Sequence, residues 1–299
     1  MFHRVQFKEI IAEKISQFIF SFMGMFVLFV MSSVFIFIGL ESWPAFERFG
    51  FSFITGLSWD VSEEVFGAAS MIVGSLIVTF IAFIFALPLS LSAAIISSEF
   101  IPERWRWLPK MLMEILAGIP SVIYGLIGIV LLVPWIQNSF SLLTGRTLVS
   151  AGLILGFMIL PTLMTFIEDS LRSVSRDIRE AARGLGLSKI ETILFAVFPK
   201  AKSGIAAALL LGIGRALGET VAVMLLVGSV DKIPSPLYQW LLPGQTLTSK
   251  IGREAAESAI GSIQYHSLFA LGGLLLLAVF FLSLIAKKYI ARNYLESKI

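Results

Sequence analysis

Residues Ser203–Ser229 read SGIAAALLLGIGRALGETVAVMLLVGS, a run of small and apolar side chains that two charges interrupt. The run is long enough to cross a bilayer, because a transmembrane helix needs about 20 mainly apolar residues. Arg215 nevertheless lies near its middle, and Glu219 follows one helical turn later. Charged side chains in membrane helices are rare and usually face the interior of a bundle or a water-filled cavity. The stretch therefore predicts a membrane helix that belongs to a bundle.

The composition of the whole chain agrees with a membrane protein. The chain is 57% hydrophobic and 14% charged, with a mean hydropathy of +0.89, whereas soluble domains carry about 25% charged residues. Six apolar runs meet the length that a span requires. They lie near residues 15–40, 69–97, 108–133, 148–168, 203–229 and 267–286. We therefore predict an all-α, polytopic membrane protein with six transmembrane helices.

Lysine and arginine are distributed unevenly between the two sets of loops that six spans create. Seventeen lie at the termini and in the loops after the second and fourth spans, and five lie in the opposite loops. Positively charged loops remain on the cytoplasmic side of a membrane. We therefore expect both termini in the cytoplasm. Arg215 is the one remaining basic residue and lies within a span.

Several classes of function lack the residue patterns that they require. The chain has no cysteine, which excludes disulfides, iron–sulfur clusters and thiol chemistry, and His3 and His266 lie at opposite ends of it. The nucleotide-binding loop GxxxxGK(S/T) is absent, as are HExxH and GxSxG. We therefore predict no catalytic residue, no metal site and no cofactor on this chain. The net charge of +3 does not indicate nucleic-acid binding, because the loop asymmetry accounts for it.

The segment Asp169–Lys202 is the longest predicted cytoplasmic loop, and arginines recur in it at helical spacing. They are Arg172, Arg176, Arg179 and Arg183. We expect a helix in which Asp177 and Glu180 pair with these arginines. Gly184 and Gly186 should end this helix, because glycine readily adopts the left-handed cap conformation. A basic helix of this kind lies at the lipid headgroups or docks on a partner, and charge alone does not decide between the two.

The order of small residues in the same loop resembles the EAA motif of permeases in ATP-binding-cassette (ABC) importers. That motif reads Glu-Ala-Ala, three further residues, Gly, nine residues and then Ile-x-Leu-Pro. The matching residues are Glu180, Ala181, Ala182, Gly186 and Pro199, whereas Ala196 and Phe198 replace the Ile and Leu. The resemblance implies that the helix around Glu180 docks on a separate ATPase subunit, which would bind ATP and Mg²⁺.

Further segments resemble the permeases of phosphate transport systems. They are Glu114–Gly125 (EILAGIPSVIYG), Arg215–Thr220 (RALGET), Thr246–Gly272 and Ser58–Asp60, and the last two are more similar to the PstC-type than to the PstA-type subunit. The resemblance implies the type I permease fold, also called MetI-like, in a bacterial cytoplasmic membrane. It also implies three partners: a second, PstA-type permease, an ATPase dimer and a periplasmic phosphate-binding protein.

On this resemblance the chain divides into three parts and imports phosphate at the expense of ATP. Residues 1–67 would hold the N-terminal cytoplasmic segment, the first transmembrane helix and a periplasmic loop, residues 68–288 the permease domain, and residues 289–299 a cytoplasmic tail. Three alternatives stay open. They are an ABC importer of another oxyanion (sulfate or molybdate), a secondary anion transporter and a membrane scaffold. A secondary transporter would normally contain a second, repeated half, which this chain lacks. A scaffold would leave Arg215 unexplained.

A continuous helix would place Arg215 and Glu219 about 40° apart on one face, since each residue turns the helix by about 100°. Small residues would share that face and bulky residues the opposite one. The small residues are Gly204, Ala208, Gly212 and Ala222, and the bulky ones are Leu210, Leu217, Val221 and Met224. In one interpretation the two charges form a buried pair that fixes packing. In the other, Arg215 lines the translocation path with Glu219 and Thr220, donates to phosphate oxygens and is restrained by Glu219.

The third span supplies further candidates for the path or its gating. They are Glu114, Pro120 and Ser121. Glu114 lies near the cytoplasmic surface, where its spacing also allows a pair with Lys110. Pro88, Pro120 and Pro161 each lie within a predicted span, and we expect them to interrupt these helices.

Overall fold

The computed structural model describes the backbone of residues 2–296 and the side chains of residues 14, 16–285, 287 and 288. The predicted tail, residues 289–299, lies outside the described side chains, and residues 297–299 also lie outside the described backbone. The helices are α1 (Phe2–Phe49), α2 (Ser52–Thr55), α3 (Ala69–Ile95), α4 (Trp107–Gly118), α5 (Ser121–Ile127), α6 (Val133–Ser139), α7 (Leu148–Arg172), α8 (Arg176–Gly184), α9 (Lys189–Thr192), α10 (Phe198–Gly218), α11 (Val221–Leu226), α12 (Leu247–Glu254) and α13 (Ile263–Glu296). The π-helical segments Ile96–Phe100, Gly128–Leu132 and Ile193–Val197 and the 3₁₀ turn Glu103–Trp105 continue or connect them. The strands β1 (Trp59–Asp60) and β2 (Val65–Phe66) form one antiparallel pair.

The predicted number of spans is confirmed. Within the described residues, six helical segments are long and apolar enough to cross a membrane. They are Ser16–Phe49, Ala69–Phe100, Ser121–Ser139, Leu148–Arg172, Lys189–Gly218 and Ile263–Ile285. The fold is therefore all-α, as the composition predicts.

The third predicted span, 108–133, is wrong in its position, because the chain forms two helices there. α4 ends at Gly118, Ile119 is extended (ψ 125°), and α5 begins after Pro120. Proline clashes with a helical conformation of the residue before it, which stops α4 at this point. The membrane-length segment is Ser121–Ser139 instead.

The fifth predicted span, 203–229, also begins and ends elsewhere. The helical segment Lys189–Gly218 is continuous and breaks at Glu219 and Thr220, before α11. Glu219 has φ −70° and ψ 127°, which is extended backbone. Arg215 therefore lies in the last turn of α10, and the two charged residues do not share one helix.

Two of the three prolines expected to interrupt spans do not do so. Pro88 lies inside α3 and Pro161 inside α7, and both helices continue through them. Membrane helices tolerate proline where neighbouring helices and hydroxyl groups satisfy the freed backbone. The two helices also contact each other near their prolines, because Ser90 Oγ of α3 donates to the Leu160 carbonyl of α7 (3.0 Å). Of the three prolines, Pro120 alone lies at a break.

The core that positions the two breaks is formed by α3, α7 and α10. α3 packs along α7, where a Cβ on Gly152 would lie 2.6 Å from the side chain of Ile81. α10 packs against α7 through Gly212, where a Cβ would lie 2.7 Å from Leu163. Small residues permit such close approach between membrane helices. α1 packs on α13 and exposes most of its apolar side chains, which suits contact with lipid.

The small residues predicted beside Arg215 serve this packing. Ala208 and Gly212 are buried against α7, and Arg215 lies at the edge of their face, where its side chain is exposed. Ala222 belongs to α11 and shares no helical face with Arg215. The packed face of α10 therefore fixes the position of the arginine without covering it.

α12 is a short helix that is not a span, although its first turn, Leu247–Lys250, is buried. The chain before it passes so close to α3 that a Cβ on Gly74 would overlap the Gln245 carbonyl. The Leu247 N–H donates to Ser75 Oγ of α3 (3.0 Å). These contacts hold α12 against the bundle beside α11.

Candidate functional site

The break between α10 and α11 carries the charges that the sequence singles out. Arg215 donates from Nη1 to the hydroxyl of Thr162 on α7 (2.9 Å). Among the described side chains, no carboxylate forms an ion pair with Arg215. A guanidinium has five N–H donors. Donors therefore remain for a ligand at this point of the bundle.

Glu219 caps the next helix instead of restraining Arg215. Its Oε1 accepts from the backbone N–H of Ala222 (3.2 Å), and its carbonyl accepts from the hydroxyl of Thr248 on α12 (2.7 Å). A carboxylate at the start of a helix satisfies free N–H groups and opposes the positive end of the helix dipole. The expected ion pair with Arg215 is wrong, because α10 ends before Glu219 and the four-residue spacing no longer brings the two together. Thr162 supplies the observed restraint of the arginine.

Thr220 is the residue that directly precedes α11, and it lies against α12. Its hydroxyl donates to the Gly218 carbonyl (3.4 Å). Gly252 of α12 comes so near that a Cβ there would lie 2.7 Å from Thr220 Cγ2. A small cavity beside the break is lined by polar residues of three elements. They are Ser75, Thr79, Glu219, Thr246 and Thr248.

The second break, at Pro120, lies near the level of the first. Gly125 of α5 packs on Ala222 of α11, and Gly128, one turn further, packs on Leu226. The two helices therefore run parallel away from their breaks. This packing brings the predicted residues Pro120 and Ser121 to the same region of the bundle as α11.

Glu114 lies on the exposed surface of α4, before this break. Its expected pair with Lys110 is not formed among the described side chains. Tyr124 Oη donates to the Leu116 carbonyl (2.9 Å) and ties α5 back to α4. The structure places no contact between Glu114 and Arg215, so a role for Glu114 in the path stays a prediction.

The EAA segment forms α8 and ends in a glycine cap. Gly186 has φ +87°, its N–H donates to the Arg183 carbonyl (2.9 Å), and the Leu187 N–H donates to the Ala182 carbonyl (3.3 Å). This double bond pattern is the Schellman motif. The predicted left-handed cap is confirmed at Gly186, whereas Gly184 is the last helical residue and does not adopt it.

The motif residues differ in exposure. Glu180 and Ala181 of α8 are exposed, and Ala182 is buried. Pro199 is exposed in the first turn of α10, directly after the π-helical segment Ile193–Val197. α8 is thus anchored on one side and free on the other.

Arg176 and Arg179 of α8 pair with the chain that follows α3, and Arg172 pairs within α7. The expected pairs with Asp177 and Glu180 are wrong among the described side chains. The observed pairs are Arg179–Glu99, Arg176–Glu103 and Arg172–Glu168, each with an N–O distance of 2.8 Å. A cavity of about 600 Å³ is lined by these groups except Glu168, together with Arg106 and Arg183, and it also exposes Glu180.

One known family matches the part of the chain that contains these helices. The family described as binding-protein-dependent transport system inner membrane component matches residues 86–296. The chain belongs to this permease family. The permease is therefore a multi-pass membrane protein and a transport subunit, and its relatives carry the names of transport subunits rather than of enzymes.

Two curated relatives cover most of the permease. It is 34% identical to the phosphate transport system permease protein PstC of Mesorhizobium japonicum, over 89% of its own length and 86% of that protein. It is 32% identical to the probable ABC transporter permease protein YqgH of Bacillus subtilis, over 86% of its own length and 83% of that protein.

Solved structures confirm the MetI-like fold. An inward-facing structure of the MetNI methionine ABC transporter aligns with a TM-score of 0.54 at 15% identity, over 76% of the permease and 94% of that chain. An amino acid ABC transporter with histidines aligns with a TM-score of 0.52 at 15% identity, over 75% and 92%. At this identity the likeness shows the fold alone.

The sequence reasoning missed Thr162 and Thr248, the two hydroxyls that hold the break. Each lies far along the chain from its partner, 53 and 29 residues away. A polar side chain beside Pro161 in an apolar span was the one signal for Thr162. For Thr248 there was no signal, because α12 is too short for hydropathy to detect.

Proposed function

We propose that this permease is the PstC-type translocation subunit of an ATP-driven phosphate importer. The observation that carries the proposal concerns Arg215. Its guanidinium lies at a helix break in a membrane bundle and donates to a neutral hydroxyl, that of Thr162. A charge within a membrane segment is costly, and its retention indicates a task. The phosphate transport names of the relatives support phosphate as the anion.

The proposed binding step uses the donors that Thr162 leaves unoccupied. The planar guanidinium of Arg215 presents paired N–H groups that match two phosphate oxygens. Thr220 offers a hydroxyl at the same break. The Glu219 carboxylate accepts a hydrogen bond from a protonated phosphate oxygen, which a fully ionised sulfate cannot donate. The break thereby favours phosphate over sulfate or molybdate.

The proposed partners are a PstA-type permease, an ATPase dimer that holds ATP and Mg²⁺, and a periplasmic phosphate-binding protein. The exposed side of α8, with Glu180 and Ala181, is the proposed contact with the ATPase. The family description, which names a binding protein and an inner membrane, supports this arrangement. The proposed location is a bacterial cytoplasmic membrane with both termini in the cytoplasm, which the loop charges support.

The test is phosphate uptake by cells that carry variants of Arg215, with the amount of permease in the membrane measured in parallel. Arg215→Gln should lower uptake at least about thirtyfold, because loss of one partner of a charged hydrogen-bonded contact costs about 2 kcal/mol or more. Uptake by Arg215→Lys should lie between that of Arg215→Gln and that of the unmodified permease, because an ammonium keeps the charge and loses the planar fork.

The control is Arg253→Gln, which removes an exposed arginine from α12 and should leave uptake unchanged. Normal phosphate uptake by inserted Arg215→Gln permease would defeat the proposed role of this arginine. Uptake of sulfate or molybdate in place of phosphate by the unmodified permease would instead assign another oxyanion.

A further inference from the structure

Arg179 lies one residue before the Glu-Ala-Ala sequence of α8, and its side chain points into the protein. Nη2 lies 2.8 Å from Glu99 Oε1 and 2.8 Å from the Leu171 carbonyl, and Nη1 donates to the Val174 carbonyl. The side chains of Arg179 and Glu99 are 16% and 7% exposed. Three hydrogen bonds thus hold this guanidinium below the surface that α8 presents.

The partners of Arg179 belong to the ends of two spans. Glu99 lies in the π-helical segment Ile96–Phe100 that continues α3, Leu171 lies in the last turn of α7, and Val174 follows two residues after that helix. A cation that donates to the last carbonyls of a helix satisfies them and opposes the negative end of its dipole. One side chain of α8 therefore fastens α8 to both α3 and α7.

A second ion pair joins the same stretches but differs in burial. Arg176 and Glu103 also lie 2.8 Å apart, and their side chains are 81% and 70% exposed. Solvent weakens an exposed pair, whereas a buried pair is screened much less. The molecule therefore contains a matched control for the Arg179–Glu99 contact.

Both spans that Arg179 fastens reach the charged break. α3 runs from the Glu99 end to Ser75, about 36 Å away at 1.5 Å per residue. There it accepts from the N–H of Leu247, next to Thr248, which holds the Glu219 carbonyl. α7 carries Thr162, which holds Arg215. The contacts of Arg179 and those of the break are thus made on the same two rigid helices.

We propose that Arg179 and Glu99 are positioning residues that transmit movement of α8 to α3 and α7, and through them to the break at Glu219. They contact neither the anion nor the ATPase. The proposal rests on the proposed function, in which an ATPase moves α8. Helices packed as closely as α3 and α7 move as units, so a firm fastening at their ends is sufficient to shift the break.

The test uses the complete complex in proteoliposomes, with uptake of inorganic phosphate and hydrolysis of ATP measured on the same preparation. In Glu99→Gln and Arg179→Gln, phosphate uptake per ATP should fall about tenfold, a typical coupling effect between sites. The ATPase should still co-purify, and hydrolysis should continue. Glu99→Gln keeps the size of the side chain, so it also tests the pair in a permease that folds.

Three further variants sharpen the result. The double variant Glu99→Gln/Arg179→Gln should be no worse than either single variant, because both remove one shared contact. The exposed pair serves as control, and Glu103→Gln and Arg176→Gln should keep the uptake-to-hydrolysis ratio of the unmodified complex. An unchanged ratio in the buried-pair variants would overturn the proposal. So would loss of the ATPase from them, because the pair would then serve docking.

A cross-link gives an independent reading, since the chain contains no cysteine. Glu103→Cys and Arg176→Cys, joined by a thiol-reactive linker, should leave uptake intact if α8 and the end of α3 move as one body. Abolished uptake in the cross-linked permease would contradict the proposal. Failure of the unmodified chain to bind any ATPase would defeat the proposed function instead, so the two failures are distinguishable.

Discussion

At Gly186 the requirement for glycine comes from the backbone and not from lack of space. Its φ is +87°, and no neighbouring atom lies within 4 Å of the position that a Cβ would take. Gly184, two residues earlier, also has open space around it but lies in α8 with an ordinary helical backbone. The two glycines thus differ in one property, the sign of φ.

We therefore expect opposite effects from the same substitution at the two positions. Gly186→Ala should cost about 1 kcal/mol in the capped conformation, because an L-residue is strained there, and should weaken retention of the ATPase. Gly184→Ala should be neutral or slightly favourable, because alanine is the better helix former. The measurement is the amount of ATPase that co-purifies with each variant. Equal retention by both variants would show that the cap does not shape the docking surface.

Among the elements, α12 depends on a buried ion cluster rather than on hydropathy. Lys250 is 5% exposed and contacts Asp231 (2.5 Å) and Glu254 (2.6 Å), and its ammonium lies 5.1 Å from the centre of the Trp59 ring. Gln264 of α13 donates to Glu254 (3.1 Å). The cluster joins α12 to the β-strand pair, to the loop after α11 and to α13.

We expect Lys250→Met to destabilise the permease strongly. The substitution leaves two carboxylates without their cation, and breaking a buried pair in this way costs about 3–5 kcal/mol. Thermal denaturation of the detergent-solubilised permease measures the loss, with Arg253→Gln on the same helix as the unaffected control. Lys250→Met/Glu254→Gln should recover part of the stability. A transition unchanged by Lys250→Met would mean that the cluster does not hold α12.

The breaks between α4 and α5 and between α10 and α11 are the features of the helices that hydropathy does not predict. Pro120 carried a local signal, because proline restricts the residue before it. The sequence around Glu219 gave no local signal of a break, since the Thr248 hydroxyl that donates to the Glu219 carbonyl comes from another element. The number of spans was predictable because hydropathy is a sum over some 20 residues. A hydrogen bond between residues far apart in the chain involves only two side chains or backbone groups, so no local property of the sequence predicts it.

For the whole molecule, the charge asymmetry of the loops predicts the orientation in the membrane. Reporters fused after Lys14, within residues 172–189 or after Lys288 should report the cytoplasm, and reporters near Ser58 or Lys250 the periplasm. Reporter pairs that are active on opposite sides of the membrane make the measurement. A periplasmic signal after Lys288 would be incompatible with six spans and a cytoplasmic N-terminus.

The contacts of the two arginines join parts of the chain that are far apart in sequence, which is why the sequence does not predict their partners. Arg215 stands out by its residue type within an apolar run, and the EAA segment by its resemblance to a family motif, and a single chain displays both directly. The partners Thr162 and Glu99 are 53 and 80 residues away from the arginines that they contact. Only packing of α3, α7, α8 and α10 brings them together, and that packing depends on shapes that no local pattern records.

The hydroxyls at the break have a further consequence for the membrane itself. An interrupted helix normally draws water to its free carbonyls, and a chain of water conducts protons. Here Thr248 and Thr220 occupy the carbonyls of Glu219 and Gly218, and the carboxylate of Glu219 occupies an N–H of the next helix. Side chains of the protein thus satisfy three of the polar groups that the interruption frees. We therefore expect these contacts to leave fewer groups that hold water at the break, and so to limit the leak of protons through it.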